Sequence, residues 1–170
     1  MKYNQLDRIV EIRPGELLIA ERTLRADEEY LVDHFPKFPV MPGVMMLEAL
    51  HQAAVWMIRT GCDFTPPLVR LKEVRGVKFG DFLCPGETLT VIVRLLKQDG
   101  PHFTVKATAE KAGRTTVLAR LILEKRSPAA DAAEGTEALL RDGLKRKFEQ
   151  LFGPIDKIIG GEESECPAIG

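Results

Sequence analysis

The sequence predicts an α+β domain in which a curled antiparallel sheet surrounds one long apolar helix. Segment 44–58 is apolar on nearly every side, which is typical of a helix enclosed by the rest of a protein. Later segments alternate apolar and polar residues between short turns, as antiparallel strands do. The chain has 170 residues, of which 45% are hydrophobic and 29% charged, and this balance is typical of a globular domain.

The N-terminal part predicts a hairpin and then an irregular loop. Segments 6–12 and 16–24 read as strands on either side of the turn Arg13-Pro14-Gly15. Residues 27–33 suit a single helical turn. Residues 34–43 contain three prolines, which fix φ and restrict the preceding residues, so we expect a rigid loop.

The central helix and four further strands complete this domain. Thr60-Gly61 and the following Pro66-Pro67 end the helix. Segment 68–79 is a strand candidate whose alternation slips, which predicts a bulge near Glu73. Three more strands alternate around residues 89–95, 103–109 and 117–123, and the connecting turns fall at residues 84–86, 99–100 and 112–113. The order is ββ, helix, ββββ, and the domain spans residues 1–126.

Residues 127–170 predict a linker, an amphipathic helix and a tail. The linker covers residues 127–136, and the helix covers residues 137–152. Leu140, Leu144, Phe148 and Leu151 share one helical face. A helix of this length is marginal alone in water, so we expect it to dock on the outer face of the sheet or on a neighbouring subunit.

Composition excludes several classes of partner. A formal charge of −1 argues against nucleic acid, which selects a basic excess. The longest apolar run, Ala53–Ile58, is too short for a membrane span, and the N-terminus has no apolar signal segment. Cys62, Cys84 and Cys166 form no paired pattern, so we expect a cytoplasmic protein without a metal or a disulfide framework.

The apolar helix carries three polar residues that need an explanation. Glu48 lies four residues before Gln52, so the Gln52 amide can hydrogen-bond the carboxyl and fix its orientation. Burial should raise the pKa of Glu48, as a general acid near neutral pH requires. The alternative places Glu48 at a helix or subunit surface, paired with Lys or Arg. For His51 we expect a hydrogen-bonded, inert position against a strand or interface, with an approach to Glu48 as the alternative.

The proline loop supplies a second candidate group. His34 can act as a general base because its ordinary pKa is near neutral, although a lone loop histidine is commonly a surface residue. Pro42 suits a helix start, and the free backbone N–H groups of that helix N-terminus can hold a carbonyl oxygen as it becomes negative. A base, an oxyanion site and an acid within fifteen residues suit removal of a proton α to a carbonyl and protonation of a leaving hydroxyl.

These residues form a pattern that resembles a known family. The segments His34-Phe35-Pro36, 39–44, 47–50 and Gln52 resemble the 3-hydroxyacyl-acyl-carrier-protein dehydratases of bacterial fatty-acid synthesis. The spacing from His34 to Glu48 is that of the family. The resemblance continues through segments 77–79, 85–87 and 95–97, so it covers about residues 5–126.

The resemblance implies a hot-dog fold, a homodimer or trimer of dimers, and no metal or organic cofactor. His34 would take the α-proton, and Glu48 of the other subunit would protonate the departing hydroxyl. The Gly43 and Val44 N–H groups would polarise the thioester carbonyl, and Gln52 would steady the acid. The partner would be an acyl carrier protein that carries the acyl chain on phosphopantetheine. The expected reaction converts (3R)-3-hydroxyacyl thioesters to trans-2-enoyl thioesters, which makes the protein a lyase.

The sequence departs from the family at three places. Lys37-Phe38 replaces the usual Gly-His, His51 replaces a small apolar residue, and the C-terminal helix extends past the usual end. We expect these differences to affect chain-length preference, tunnel shape and oligomer assembly. Glu rather than Asp at position 48 argues against double-bond isomerisation. The basic residues of that helix raise a rival role, recruitment of the acidic carrier protein. Two other functions stay open, an acyl thioesterase and a non-catalytic acyl-carrier-binding protein.

Overall fold

The computed structural model describes residues 4–65, 68–126, 136–155 and 158 of the chain. Six strands form one antiparallel sheet: β1 (Arg8–Arg13), β2 (Leu17–Thr23), β3 (Leu68–Phe79), β4 (Thr88–Asp99), β5 (His102–Lys111) and β6 (Arg114–Arg126). The helices are α1 (Gly43–Gly61) and α2 (Thr136–Phe152), with one 3₁₀ turn at Glu29–Leu31. The predicted order of elements is therefore confirmed. The linker, apart from Thr136, lies outside the described residues, as do Pro66, Pro67 and the tail with Cys166.

The sheet wraps around α1, which contacts all six strands. Alternate residues of each inner strand point at the helix and are fully buried, because successive strand side chains face opposite sides. The core combines these with the apolar face of α1: Leu18, Ala20, Leu50, Ala53, Met57, Val91, Val93, Val105, Ala107, Val117 and Leu121. The expected α+β architecture, one enclosed helix and a curled sheet, is confirmed.

Strand order differs from the order that the short links suggest. The sheet runs β1-β2-β4-β5-β6-β3, so β3 pairs with β6 and lies at the opposite edge from β1. The interpretation of the last four strands as a series of hairpins is wrong for β3 and β4. Residues 80–87 connect them, and this link is long enough to cross from the edge strand to β4, which pairs with β2 from Leu17–Arg94 to Thr23–Thr88.

The predicted bulge in β3 is confirmed. The β3–β6 register shifts between Leu71 and Glu73, and a second shift that the pattern did not predict lies between Arg75 and Lys78. Gly76 has a φ of +60° in this second irregular stretch, a conformation that glycine adopts without a steric penalty. The edge strand is thus bent twice as it follows α1.

Two glycines allow α1 to end against the β1–β2 turn. A Cβ on Gly61 would lie 2.4 Å from the Cα of Gly15. The N–H of Gly15 donates to the Met57 carbonyl at 3.0 Å, which joins the turn to the last part of the helix. Larger side chains at either position would separate the two elements.

α2 completes the core from the open side of α1. Phe148 is fully buried, with its ring centroid 6.0 Å from that of Trp56 and 5.7 Å from that of Phe64. Docking on the outer face of the sheet is therefore wrong, since Phe148 belongs to the same buried cluster as α1. Leu144 and Leu151 pack against this cluster as the periodicity predicts, whereas Leu140 is largely exposed. No helix within the described ranges is long and apolar enough to cross a membrane.

Candidate active site

Glu48 is the centre of a small hydrogen-bonded group on the exposed side of α1. The Gln52 Nε2 donates to Glu48 Oε1 at 2.9 Å, and the His51 Nδ1 lies 3.1 Å from Glu48 Oε2. Gln52 is itself oriented by the N–H of Gln5, which donates to its Oε1 at 2.9 Å. Both carboxylate oxygens of Glu48 thus have fixed partners, so its orientation is set before any substrate arrives.

The expected partnership of Gln52 with Glu48 is confirmed, but two other expectations are wrong. Glu48 is not buried in the single subunit, because 40% of its side chain is exposed. Hydrogen bonds from His51 and from Gln52 lower its pKa against the opposing effect of partial burial. The sequence predicted a raised pKa, since it could not show that polar neighbours would stabilise the ionised form.

His51 is the residue whose role the sequence interpretation underestimated. Its imidazole contacts Glu48, which is the approach to Glu48 that the alternative interpretation described. Its spacing of three residues after Glu48 was the available signal, because residues i and i+3 are neighbours on a helix surface. The Nε2 atom of His51 is buried and has no hydrogen-bond partner within the described segments.

His34 lies in the loop before α1, away from this group. Its N–H donates to the Tyr30 carbonyl at 3.1 Å, and its ring lies 4.5 Å from that of Phe35, centroid to centroid. Within the described part of this subunit, no hydrogen bond or ion pair joins the His34 imidazole to Glu48. Phe35 has a φ of +51°, an uncommon conformation for a bulky residue, and such strain is typical of functional loops.

A buried ion pair that the sequence did not predict anchors this loop. Arg22 of β2 is almost fully buried and pairs with Glu28, and its Nη1 lies 3.2 Å from Asp7 Oδ1. Glu28 immediately precedes the 3₁₀ turn that leads to His34. A buried charge is stable only when an opposite charge or hydrogen bonds compensate it. The pairing of Arg22 with Glu28 therefore holds the start of the loop against the sheet.

The start of α1 presents unpaired backbone donors. Met45 and Met46 both donate to the Pro42 carbonyl, whereas no described residue accepts from the N–H groups of Gly43 and Val44. Val44, Glu48 and Gln52 are spaced by four residues, so their side chains lie along one face of the helix whose start carries these donors. A Cβ on Gly43 would lie 2.8 Å from the Phe79 ring, so the glycine lets the end of β3 approach the helix start.

A cavity of about 470 Å³ adjoins Glu48. It follows one stripe of α1, is bordered by the start of β3 and by α2, and is partly open to solvent. Its lining is Asn4, Glu48, His51, Gln52, Val55, Trp56, Arg59, Val69, Lys147, Gln150 and Leu151. Burial lowers the pKa of Arg59 to about 10, so its guanidinium stays charged at neutral pH. His34 does not line this cavity.

Comparison with known proteins identifies close relatives. The FabA-like domain family matches residues 1–120. The chain is 34% identical over 116 residues to 3-hydroxyacyl-[acyl-carrier-protein] dehydratase FabZ of Levilactobacillus brevis, covering 68% of this chain and 78% of the relative. It is 38% identical over 125 residues to the protein of the same name from Bartonella henselae, covering 71% and 80%.

Solved structures share the fold. A chain of the dehydratase heterocomplex ApeI:P from Xenorhabdus doucetiae matches with a TM-score of 0.62 at 18% identity, covering 81% of this chain and 88% of that one. A hypothetical thioesterase from Streptococcus pneumoniae, solved with coenzyme A, matches with a TM-score of 0.57 at 7% identity, covering 71% and 85%. These likenesses confirm the hot-dog fold that the sequence resemblance implied.

Proposed function

This chain belongs to the FabA-like domain family, and we propose that it dehydrates (3R)-3-hydroxyacyl thioesters on acyl carrier protein to trans-2-enoyl thioesters. It is a lyase of fatty-acid or related lipid biosynthesis. The observation that carries the proposal is the carboxyl of Glu48, oriented by Gln52 and His51 on the helix whose start leaves two N–H groups unpaired. An acid and a carbonyl-binding site suit a 3-hydroxyacyl thioester, which has a carbonyl to polarise and a hydroxyl to protonate.

In the proposed reaction each group has one task. The N–H groups of Gly43 and Val44 polarise the thioester carbonyl, which acidifies the α-carbon. His34 removes the α-proton, and the electron pair of that C–H bond forms the new C=C bond. Glu48 donates its proton to the departing hydroxyl, which leaves as water. Gln52 keeps the carboxyl directed at the substrate.

The proposed reaction uses a second subunit, because His34 does not line the cavity beside Glu48 in the described part of one subunit. Around the His34 loop and the start of α1 the subunit exposes several large apolar side chains: Phe35, Phe38, Val44, Phe79 and Phe82. A concentration of exposed apolar residues of this kind is typical of a protein interface. We therefore propose a homodimer in which the partner subunit's His34 faces Glu48.

The edge strand supports the same assembly. β3 is twelve residues long and, among the described strands, pairs with β6 alone, so its outer edge has backbone groups available for pairing. Pairing of two β3 edges about a twofold axis would join the sheets of two subunits. Further assembly into a trimer of dimers and a cytoplasmic location stay predictions.

Dimerisation would also change the acidity of Glu48. The carboxyl is 40% exposed in one subunit, and a partner that covers it would add desolvation, which raises a carboxyl pKa. The hydrogen bonds from His51 and Gln52 act in the opposite direction. The assembled site therefore sets the protonation of Glu48 by a balance of burial against hydrogen bonding.

One observation favours a second function, acyl thioester hydrolysis. A carboxylate with a lowered pKa can act as a base that activates water, and Glu48 is such a group in the single subunit. A single assay on 3-hydroxyacyl carrier protein separates the possibilities. Absorbance of an enoyl thioester supports dehydration, release of free thiol supports hydrolysis, and absence of both indicates a non-catalytic acyl-carrier-binding protein.

A further inference from the structure

The cavity beside Glu48 extends well beyond the residues that the reaction uses. It follows α1 from Glu48 to Arg59, which are eleven residues apart and therefore about 16 Å apart along the helix axis. Past the polar group at Glu48 the lining contains an apolar stretch, with Val55 and Trp56 on α1 and Val69 at the start of β3. The same lining also includes the charged side chains of Arg59 and Lys147. This shape suits an extended apolar ligand whose reactive end lies at Glu48.

The wall opposite α1 comes from α2. The cavity is lined by Lys147 and, about one helical turn later, by the adjacent residues Gln150 and Leu151. The family match ends at residue 120, sixteen residues before α2 begins at Thr136. This wall therefore lies outside the part of the chain that the family describes, and it is a feature of this protein's own C-terminal segment.

α2 is firmly attached, so its cavity-lining residues have defined positions. Phe148 is buried between Trp56, Phe64 and Phe152. At the other end of the helix, Arg141 Nε donates to the Asp63 carbonyl at 3.0 Å, and Lys145 Nζ lies 3.1 Å from Asp63 Oδ1. An apolar anchor and a polar anchor together prevent α2 from sliding along α1.

We propose that α2 is a wall of the acyl-chain site and determines which acyl chains this enzyme accepts. The proposal rests on the proposed dehydration, because that reaction places the substrate's C3 hydroxyl at Glu48. The rest of the acyl chain then lies between Trp56 of α1 and Leu151 of α2. Short acyl chains end near Glu48 and do not reach α2, whereas long chains contact it.

The test narrows the cavity from the α2 side. Leu151→Phe enlarges a cavity-lining residue, and Gln150→Phe does the same from an exposed position that leaves the core unchanged. Leu139→Phe is the matched control, because Leu139 is on α2 but 74% exposed and does not line the cavity. Each variant is assayed on four-carbon and twelve-carbon 3-hydroxyacyl carrier protein, and its melting temperature is measured.

We expect kcat/KM for the twelve-carbon substrate to fall about tenfold or more in the two cavity variants, since misfit in an apolar pocket has effects of this size. For the four-carbon substrate, kcat/KM of the two cavity variants should stay within about twofold of the wild-type value. Leu139→Phe should resemble the wild type with both substrates. An equal loss on both substrates, or no loss on either in both cavity variants, would overturn the proposal.

A binding measurement separates this proposal from the proposed function. Trp56 is the only tryptophan of the chain and lies in the cavity wall, so its fluorescence reports occupancy. Dodecanoyl pantetheine, which has no 3-hydroxyl to lose, should change the emission of the wild type and bind more weakly to Gln150→Phe. If dodecanoyl pantetheine changes the fluorescence as expected but the hydroxyacyl substrates give no enoyl product, the dehydratase function is disproved and the acyl site is not. If enoyl product forms but the fluorescence does not respond, the acyl site is disproved and the dehydratase function is not.

Discussion

At the scale of single residues, two hydrogen bonds decide the state of Glu48. The amide of Gln52 holds one carboxylate oxygen and the imidazole of His51 holds the other. Hydrogen bonds to the ionised form lower a carboxyl pKa, and burial raises it. An isolated apolar helix surface would have produced the raised pKa that the sequence predicted, but His51 changes the balance.

Removal of either proposed catalytic group should abolish most turnover. We expect His34→Ala and Glu48→Gln each to lower kcat by about 10²- to 10⁴-fold, the usual contribution of a positioned base or acid. His102→Ala is the control, because His102 lies on β5 at the surface, 3.4 Å from Glu124. Steady-state assays with circular dichroism as a folding check measure the effect. Near wild-type dehydration by either catalytic variant would disprove its assigned role.

Replacement of His51 should change the pH dependence of the reaction. Dehydration requires protonated Glu48, so activity falls as the pH rises through the pKa of that group. His51→Ala removes the main cause that lowers this pKa, so the pKa rises and the alkaline limb of the kcat profile should move to higher pH. The other charged groups that line the cavity, Arg59 and Lys147, are unchanged in the variant.

His51→Asn is the matched variant for this experiment. The asparagine amide can place a donor close to the position of the imidazole Nδ1 without adding a group that titrates near neutral pH. The alkaline limb of the His51→Asn profile should therefore lie closer to the wild-type limb than the alkaline limb of His51→Ala lies. If the alkaline limb moves equally in both variants, the hydrogen bond from His51 does not control the pKa of Glu48.

At the scale of secondary-structure elements, α2 belongs to the core although it lies outside the family match. Its apolar face reaches α1 through Phe148, and its basic residues reach Asp63 at the end of α1. The amphipathic pattern predicted which residues would be buried, since Phe148, Leu144 and Leu151 pack as expected. The position at which α2 docks depends on the space beside α1, and a local sequence pattern does not describe that space.

Truncation of the buried aromatic residue should measure the contribution of α2. Phe148→Ala leaves a cavity between Trp56 and Phe64, and we expect it to reduce the free energy of unfolding by about 3–5 kcal/mol. Leu139→Ala, at an exposed position, should change it by less than about 0.5 kcal/mol. Denaturant titration followed by circular dichroism gives both values.

The rival role of α2 as a recruitment helix makes a different prediction. Unchanged stability in Phe148→Ala, together with a raised KM for carrier-bound substrate only, would indicate that α2 binds the acidic carrier protein. Packing of α2 as an integral wall instead predicts a loss of stability that does not depend on how the substrate is carried.

At the scale of the whole molecule, the proposed site is complete only in a dimer. Among the described residues of one subunit no hydrogen bond or ion pair joins His34 to Glu48, and apolar side chains are exposed around both the His34 loop and the start of α1. The proposed twofold assembly would place each His34 opposite the Glu48 of the other subunit and form two equivalent sites.

Mixing inactive variants tests this arrangement. A dimer of one His34→Ala subunit and one Glu48→Gln subunit keeps one intact site, so random exchange should restore about a quarter of the wild-type activity. The double variant His34→Ala/Glu48→Gln mixed with Glu48→Gln forms no intact site and is the control. Subunit exchange is verified by native mass spectrometry, and proven exchange without recovery would place both groups of a site in one subunit.

The amino-acid sequence by itself determined the type and order of the elements, because periodicity and turn residues are local properties. It predicted the apolar helix from segment 44–58, the bulge near Glu73 and the bond between Gln52 and Glu48, all of which depend on neighbours close in the chain. The tertiary structure alone decided that β3 pairs with β6, that Arg22 is buried with Glu28 and that α2 closes the cavity at Glu48. These features join residues far apart in sequence, and their energies depend on packing and on access of water rather than on local pattern. The acidity of Glu48 depends on both scales, because its partners are local and its exposure is set by the fold.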